Sequence, residues 1–335
     1  MRLYNSRWLY RDRTRKPDFG ERRPVTVCIS TLFLWNHGTR AKTDYAYGAI
    51  TASDRMLTVW DSKFEPPKQK ICFLSKELML LVAGDVALHS EAIGSLEKDL
   101  PTTPDKGPEN VALLYGRKIQ GIKLRRAEDQ FMAPLGLNSD TFLAQQKDMA
   151  DIFIDRLTTQ MQNSSEEDVE ALVVGSNGKH ANIYAIDHRG TVTCCNDVGF
   201  AAIGIGAWHA RSSLIQAGYH NNLTLAPALA ATFAAKKLAQ IAPGVGDSTD
   251  LYLVTRDGHM RLSDGLYGKL HEVHNGYSSA VTDAAISAID QLQGYIDSLQ
   301  GTQNEPAQQP PERGQTPNER ASATTSEAAR ENKAE

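Results

Sequence analysis

The chain reads as an α+β protein, a layered sandwich of two sheets covered by helix pairs. Three observations carry that reading. Apolar stretches rich in β-branched residues come in pairs joined by turn residues. Helical patterns come in blocks of two. The resulting order is strands, two helices, strands, two helices, strands, helix, which lacks the βαβα alternation of a doubly wound sheet.

The first strand is Val25 to Leu34, β-branched, long enough for one buried strand and too short to cross a membrane. Residues 38–46 form a polar hairpin connection to a second strand, Tyr47 to Arg55, that runs into a polar turn. Pro66-Pro67 marks a loop at 61–68. A third pair follows at Lys70–Leu74 and Glu77–Asp85. A helix is expected over 86–99, ended by Pro101 and Pro104. Asn110 is expected to cap the next helix, with Val111, Leu113, Leu114, Ile119 and Ile122 on its apolar stripe. Pro134–Asn138 breaks the pattern, and Asp140 opens a further helix carrying Phe142, Met149, Ile152, Phe153, Ile154 and Leu157. After the polar run 162–168, Val169–Gly175 and Asn182–Ile186 read as a hairpin about Asn177-Gly178. Asp187–Gly190 is another turn, leading into Thr191–Cys195. Phe200–Ile203 is a short strand. Helices follow over 207–217 and from a Thr224 cap to Ala239, then strands at Asp250–Thr255 and His259–Leu262. A C-terminal amphipathic helix covers about 278–299.

Composition narrows the function. A net charge of −4 on 335 residues gives no electrostatic case for nucleic acid or an anionic membrane as partner. No run of about 18 apolar residues is present, so no transmembrane helix is expected. Cys28, Cys72, Cys194 and Cys195 form no CxxC pair, and reduced core thiols suit a cytoplasmic protein. His271-x-x-His274 offers two metal ligands without a third, and Gly204-Ile205-Gly206 lacks the fuller pattern of a phosphate loop. Neither a metal nor a cofactor is expected.

The two ends differ from the middle. Residues 1–24 hold eight Lys/Arg against three acids and little apolar periodicity, and read as an extension outside the fold. Three readings compete: a signal peptide, against which stand the lack of a small-residue cleavage site and the acids Asp12, Asp18 and Glu21; a cleavable propeptide; and a mis-set start in which Val25 is a bacterial GTG start codon. The last is favoured, and methionine removal would then expose Thr26 as the first residue. The domain is expected over 25–300, with a helical insertion at about 101–165. Residues 301–335 contain no Val, Ile, Leu, Met or aromatic residue and are expected to be disordered.

Several stretches, in this order, resemble the proteasome β-subunit-like branch of the N-terminal nucleophile hydrolases. They are Thr26-Val27-Cys28-Ile29, Ala52-Ser53-Asp54-Arg55, Lys70 before Ile71-Cys72-Phe73-Leu74, Ala83-Gly84-Asp85, Leu172–Gly175, Ile183–Asp187 with Gly190, Ala202–Gly206, and Thr249–Thr255. They span roughly 26–265. The opening is similar to bacterial members that begin Met-Thr-Val-Cys-Ile. The resemblance implies a four-layer αββα sandwich and a threonine-type hydrolase that cleaves peptide or other amide bonds. It implies self-association through helix layers. It also implies roles: Thr26 as nucleophile, Lys70 as a tuning cation beside it, Asp54 as the group that orients Lys70 and the N-terminus, and a backbone N–H in Leu81–Gly84 for the oxyanion. The chemistry is sound, because a threonine hydroxyl needs a nearby base and an α-amine with a pKa of about 7.7–8.0 supplies one.

Read without the resemblance, Thr26 is an ordinary strand threonine, Asp54-Arg55 a turn pair, Lys70 a solvated strand-entry lysine and Cys28 a core thiol. Departures stand beside the likeness. Ile205, Ala242 and Val245 occupy positions where active relatives carry Ser, Asp and Ser, and Leu81 stands where a small glycine is expected. Two rival functions follow: an inactive homologue serving as an assembly or binding module, and a small-molecule amidohydrolase.

Overall fold

The computed structural model describes residues 26–36, 45–59, 62–64, 70–164 and 169–303. The extension 1–24, most of the 38–46 connection, Pro66-Pro67 and the tail beyond 303 lie outside them. The chain divides into two units, one ending at Ser278 and one beginning at Ser279.

Strands β1 (Cys28–Asn36) and β2 (Tyr45–Asp54) open the first unit, followed by a small hairpin of β3 (Leu57–Val59) and β4 (Ser62–Phe64). Then come β5 (Ile71–Ser75) and β6 (Leu78–Gly84). A helical block holds α1 (Val86–Asp99), α2 (Pro108–Ala127), α3 (Ser139–Gln145) and α4 (Asp151–Ser164). Strands β7 (Val169–Ser176), β8 (Ala181–Ile186), β9 (Val192–Cys194) and β10 (Phe200–Ile203) precede α5 (Ala207–Gln216) and α6 (Leu225–Ala239). The last elements are β11 (Thr249–Thr255), β12 (Gly258–Arg261) and α7 (Asp264–Gln303). One five-stranded sheet has the order β10-β1-β2-β11-β12 and a second the order β5-β6-β7-β8-β9, each antiparallel throughout.

Alternation along the strands sorts the side chains into separate cores. Val27, Ile29 and Phe33 join Phe233, Ala210 and Leu214 of α5 and α6 in one cluster. Cys28 and Leu32 join Met79, Leu81, Leu172 and Val174 of the second sheet in another. The alternate residues of that sheet, Leu80 and Val173, pack with Leu88, Leu96, Val111 and Tyr115 of α1 and α2. β1 is therefore buried on both faces, which is why its sequence is a near-continuous apolar run broken only by small hydroxyl residues. Met132, Phe142 and Leu157 form a satellite cluster in the helical block.

α2 lies close to the turn between β8 and β9. A Cβ on Gly116 would stand 2.3 Å from the Gly190 carbonyl oxygen, and Gly190 itself adopts φ +75°. Only glycine at 116 permits that approach.

Several sequence expectations shift. α2 starts at Pro108, and Asn110 lies in its first turn with its amide donating to Asp105 at 2.5 Å. Proline at the first helical position needs no N–H and presets φ. The helix expected from Asp140 is two, α3 and α4, and Asn138 supplies the cap by accepting from Thr141 N at 2.8 Å. Thr224 holds the cap position of α6, with no side-chain cap bond. The final helix begins at Asp264. Its Gly265, Gly268 and Gly276 weaken the local helical pattern, while Tyr267 and Leu270 pack into the α5–α6 core and hold the first turns. The β3–β4 hairpin overlaps a segment read as loop.

Candidate active site

Thr26 lies two residues before β1, and Asp54 ends β2. The register pairs Cys28 with Ser53, and Asp54 N donates to Val27 O at 3.2 Å, so Thr26 and Asp54 meet at one end of the sheet. Lys70 enters from the other sheet, one residue before β5, where its carbonyl accepts from Val82 N at 3.3 Å. The Thr26 hydroxyl donates to Asp54 Oδ1 at 2.5 Å. Lys70 Nζ donates to the Thr26 hydroxyl and reaches Asp54 Oδ1 and Oδ2 at 3.0 and 3.1 Å. Thr26, Asp54 and Lys70 are 2 %, 0 % and 8 % exposed, so this ion pair and hydroxyl form a buried unit. The structure thus brings together three of the residues singled out in the sequence.

Asp54 has more partners than the sequence suggested. Val27 N donates to Oδ1 at 2.9 Å, and Met56 N and Gly246 N donate to Oδ2 at 3.0 and 3.1 Å. Gly246 is held in turn by buried Lys236, whose Nζ donates to the carbonyls of Gly246 at 2.6 Å and Asp247 at 3.3 Å. Beside the site, Arg55 forks onto buried Asp250, with Nε to Oδ2 at 2.9 Å and Nη2 on Oδ1. Sequence reasoning missed Lys236 and Gly246. The only available signal was a lysine pair in an alanine-rich helix, which ordinarily reads as a solvated face.

The Gly204-Ile205-Gly206 segment cradles the Thr26 backbone. Gly206 N donates to Thr26 O at 3.2 Å. Gly204 has φ +86°, and a Cβ there would stand 2.4 Å from the same oxygen. Its N–H donates to Glu170 Oε2 at 2.7 Å. Ala242 and Val245 are buried in the α5–α6 core, and Ile205 packs against it. The loop therefore reaches Asp54 through the backbone of Gly246, and those three side chains add only apolar contact.

Leu81 and Gly84 separate. Leu81 is buried between the sheets, and its pairing with Leu172 directs its N–H toward β7. Val82 N points the other way, to Lys70. Two residues on, the alternation turns the Gly84 N–H to that same side. Leu81 is consequently a core residue committed to the sheet, and of the two Gly84 has its amide on the β5 side of the strand. Behind it lies a buried histidine. A carbonyl only accepts, so His89 Nε2–H donates to Ala83 O at 2.9 Å and Nδ1 accepts from Tyr115 OH at 2.7 Å. Burial holds the His89 ring below the ordinary imidazole range.

The remaining candidates have structural partners. Cys28 Sγ is 3.6 Å from Val82 O, and burial pushes its thiol well up despite nearby Lys70. His271 and His274 pack edge-on against Phe233. His180 Nδ1 accepts from Tyr47 N at 3.2 Å. Among the described residues, no helix is long and apolar enough to cross a membrane.

No protein-family model and no curated protein matches the chain. Two solved structures are similar to it. Anbu (ancestral beta-subunit) from Yersinia bercovieri aligns with a TM-score of 0.53 at 13 % identity, covering 77 % of this chain and 96 % of that one. An Anbu (Gly-1) mutant from Hyphomicrobium sp. strain MC1 aligns with a TM-score of 0.52 at 16 % identity, with the same coverages of 77 % and 96 %. These matches correct the resemblance drawn from the sequence. The neighbours are Anbu proteins, proteasome-like in fold, and not the conventional bacterial β-subunit branch. The short motifs that suggested that branch lie along core strands and in the turns that end them, where the fold itself constrains the residue, so they do not separate one branch from another. At such identities the likeness extends to the fold: a proteasome-like α+β sandwich of two antiparallel sheets with helices.

Proposed function

We propose that this chain is a threonine-type amide hydrolase whose mature form begins at Thr26. The observation that carries the reading is the Thr26 hydroxyl, held between Lys70 Nζ and Asp54 Oδ1 in a buried ion pair. A four-layer αββα arrangement fits the separate cores on the two faces of each sheet.

With Thr26 first in the chain, its α-amine takes the hydroxyl proton, directly or through a water. The oxygen attacks the substrate carbonyl, and the Gly84 N–H stabilises the oxyanion. Collapse breaks the C–N bond, the protonated α-amine gives its proton to the leaving amine, and an acyl ester remains on Thr26. Water then cleaves the ester and regenerates the hydroxyl. Lys70 adds positive charge beside the reacting oxygen, and Asp54 fixes Lys70. The mechanism uses no cofactor. Its substrate is a peptide or another amide.

The test is turnover of fluorogenic peptide amides and small acyl-amides by a chain that begins at Thr26. Thr26→Ala should abolish turnover and Lys70→Ala should lower it at least about 100-fold, the scale of one lost electrostatic group. Undiminished turnover by Thr26→Ala would refute the assignment. A second reading, a binding or assembly module without catalysis, is favoured by the apolar side chains at Ile205, Ala242 and Val245. It predicts no turnover from a folded chain that begins at Thr26. Intact mass of the protein from its native host decides whether that terminus forms.

A further inference from the structure

The unit that begins at Ser279 contains a tandem heptad. Ile-Asp-Gln-Leu-Gln-Gly-Tyr at 289–295 is followed by Ile-Asp-Ser-Leu-Gln-Gly-Thr at 296–302, five of seven positions being identical. Both copies lie within α7, which runs unbroken from Asp264 to Gln303. With Ile289 and Ile296 at position a, Leu292 and Leu299 fall at d. Every exposed large apolar side chain among the described residues of this unit then falls at a, d, e or g. They are Val281 and Tyr295 at g, Ile286 at e, and the two Ile–Leu pairs. Position b is aspartate in three successive heptads, Asp283, Asp290 and Asp297, on the opposite face.

We propose that this stripe is the interface with a second copy of the chain, in a parallel two-stranded coiled coil. β-branched residues at a with leucine at d are the combination that packs two parallel strands. The flanking positions Ala288, Gln293 and Tyr295 are uncharged, so nothing repels an identical helix and nothing selects a different one. The heptad period keeps one seam facing the partner, and a two-fold axis along it makes the patch self-complementary. A membrane surface fits less well. Residues 270–303 contain no Lys or Arg, whereas an interfacial helix for anionic lipid carries them on its polar face.

The experiment is sedimentation equilibrium of the full chain, the Ile289→Asp/Ile296→Asp double variant and an Asp290→Asn control. The two aspartates project from the solvent side of α7, and far-UV circular dichroism checks that the domain remains folded. The wild type and the control should share one mass and the double variant should show half of it. A monomeric wild type, a double variant of unchanged mass, or a fall by a factor other than two would each overturn the proposal. So would pelleting of a monomeric wild type with anionic vesicles. Direction is tested with Leu292→Cys under mild oxidation. In a parallel register the two cysteines meet and an additional covalent dimer appears over the wild-type background from its native thiols. Its absence from an otherwise dimeric protein would overturn the parallel arrangement.

Discussion

Replacing Asp54 by Asn should cost this fold a large fraction of its stability. The carboxylate is fully buried, pairs with Lys70 through both oxygens, and accepts from the N–H groups of Val27, Met56 and Gly246. Asn keeps the shape and loses the charge. Removing one partner of a buried pair costs about 3–5 kcal/mol, because the other charge stays buried without compensation. The amide also has only one accepting end, so its NH₂ must face at least one of those three donors. An orphaned buried donor costs about 1–3 kcal/mol, and the two effects overlap. A loss of roughly 3–6 kcal/mol is expected, against a total of about 5–15 kcal/mol for a typical domain. Guanidinium unfolding measures it as a fall in midpoint at constant slope. Adding Lys70→Met removes the stranded ammonium, so the double variant should be more stable than additivity of the single variants predicts, by about 1–3 kcal/mol. A cost below about 1 kcal/mol for Asp54→Asn, or strict additivity in the double variant, would refute the picture of one buried charge network.

Three further outcomes are expected. Gly116→Ala drives a methyl group into the Gly190 carbonyl and should lower the melting temperature despite alanine's better helix propensity; an unchanged or raised value would show that α2 can move away. Burial lowers the pKa of His89 in the native state, whereas the unfolded chain binds a proton there at the ordinary value of about 6.5. Stability should therefore fall as pH drops below about 6.5, with a slope of up to about 1.4 kcal/mol per pH unit that His89→Phe removes; equal slopes in wild type and variant would exclude this. Iodoacetamide should label exposed Cys194 in the native protein and reach Cys28 only after denaturation, read by peptide mass spectrometry; native labelling of Cys28 would mean that the inter-sheet core opens.

The sequence specified much of this architecture. Runs such as Val25–Leu34 and Leu172–Gly175 need only their own β-branched, apolar composition to read as buried strands. The helix over 86–99 reads from its own pattern, and the structure adds its cap, Asp85, which accepts from Leu88 N at 2.6 Å. Thr26, Asp54 and Lys70 were legible as residue types at strand ends. The heptad at 289–302 is equally a property of the sequence, though the exposure of its stripe is not.

Tertiary structure decided the rest. That Asp54 is held by Val27, Met56 and Gly246 could not be read in advance, because backbone N–H groups are the same in every residue and carry no sequence signal. Lys236 looked like surface until the loop at 246–247 closed over it. The Gly204–Gly206 turn had the composition of an anion cradle and instead clasps the Thr26 carbonyl. Leu81 and Val82 are neighbours in one strand, and only the alternation of the ladder decides that the Val82 N–H reaches Lys70 while that of Leu81 turns away. Periodicity and composition are local and survive in a linear reading. Which donor faces which acceptor depends on contacts between residues as far apart as Asp54 and Gly246, and those are set only when both sheets and their helices pack.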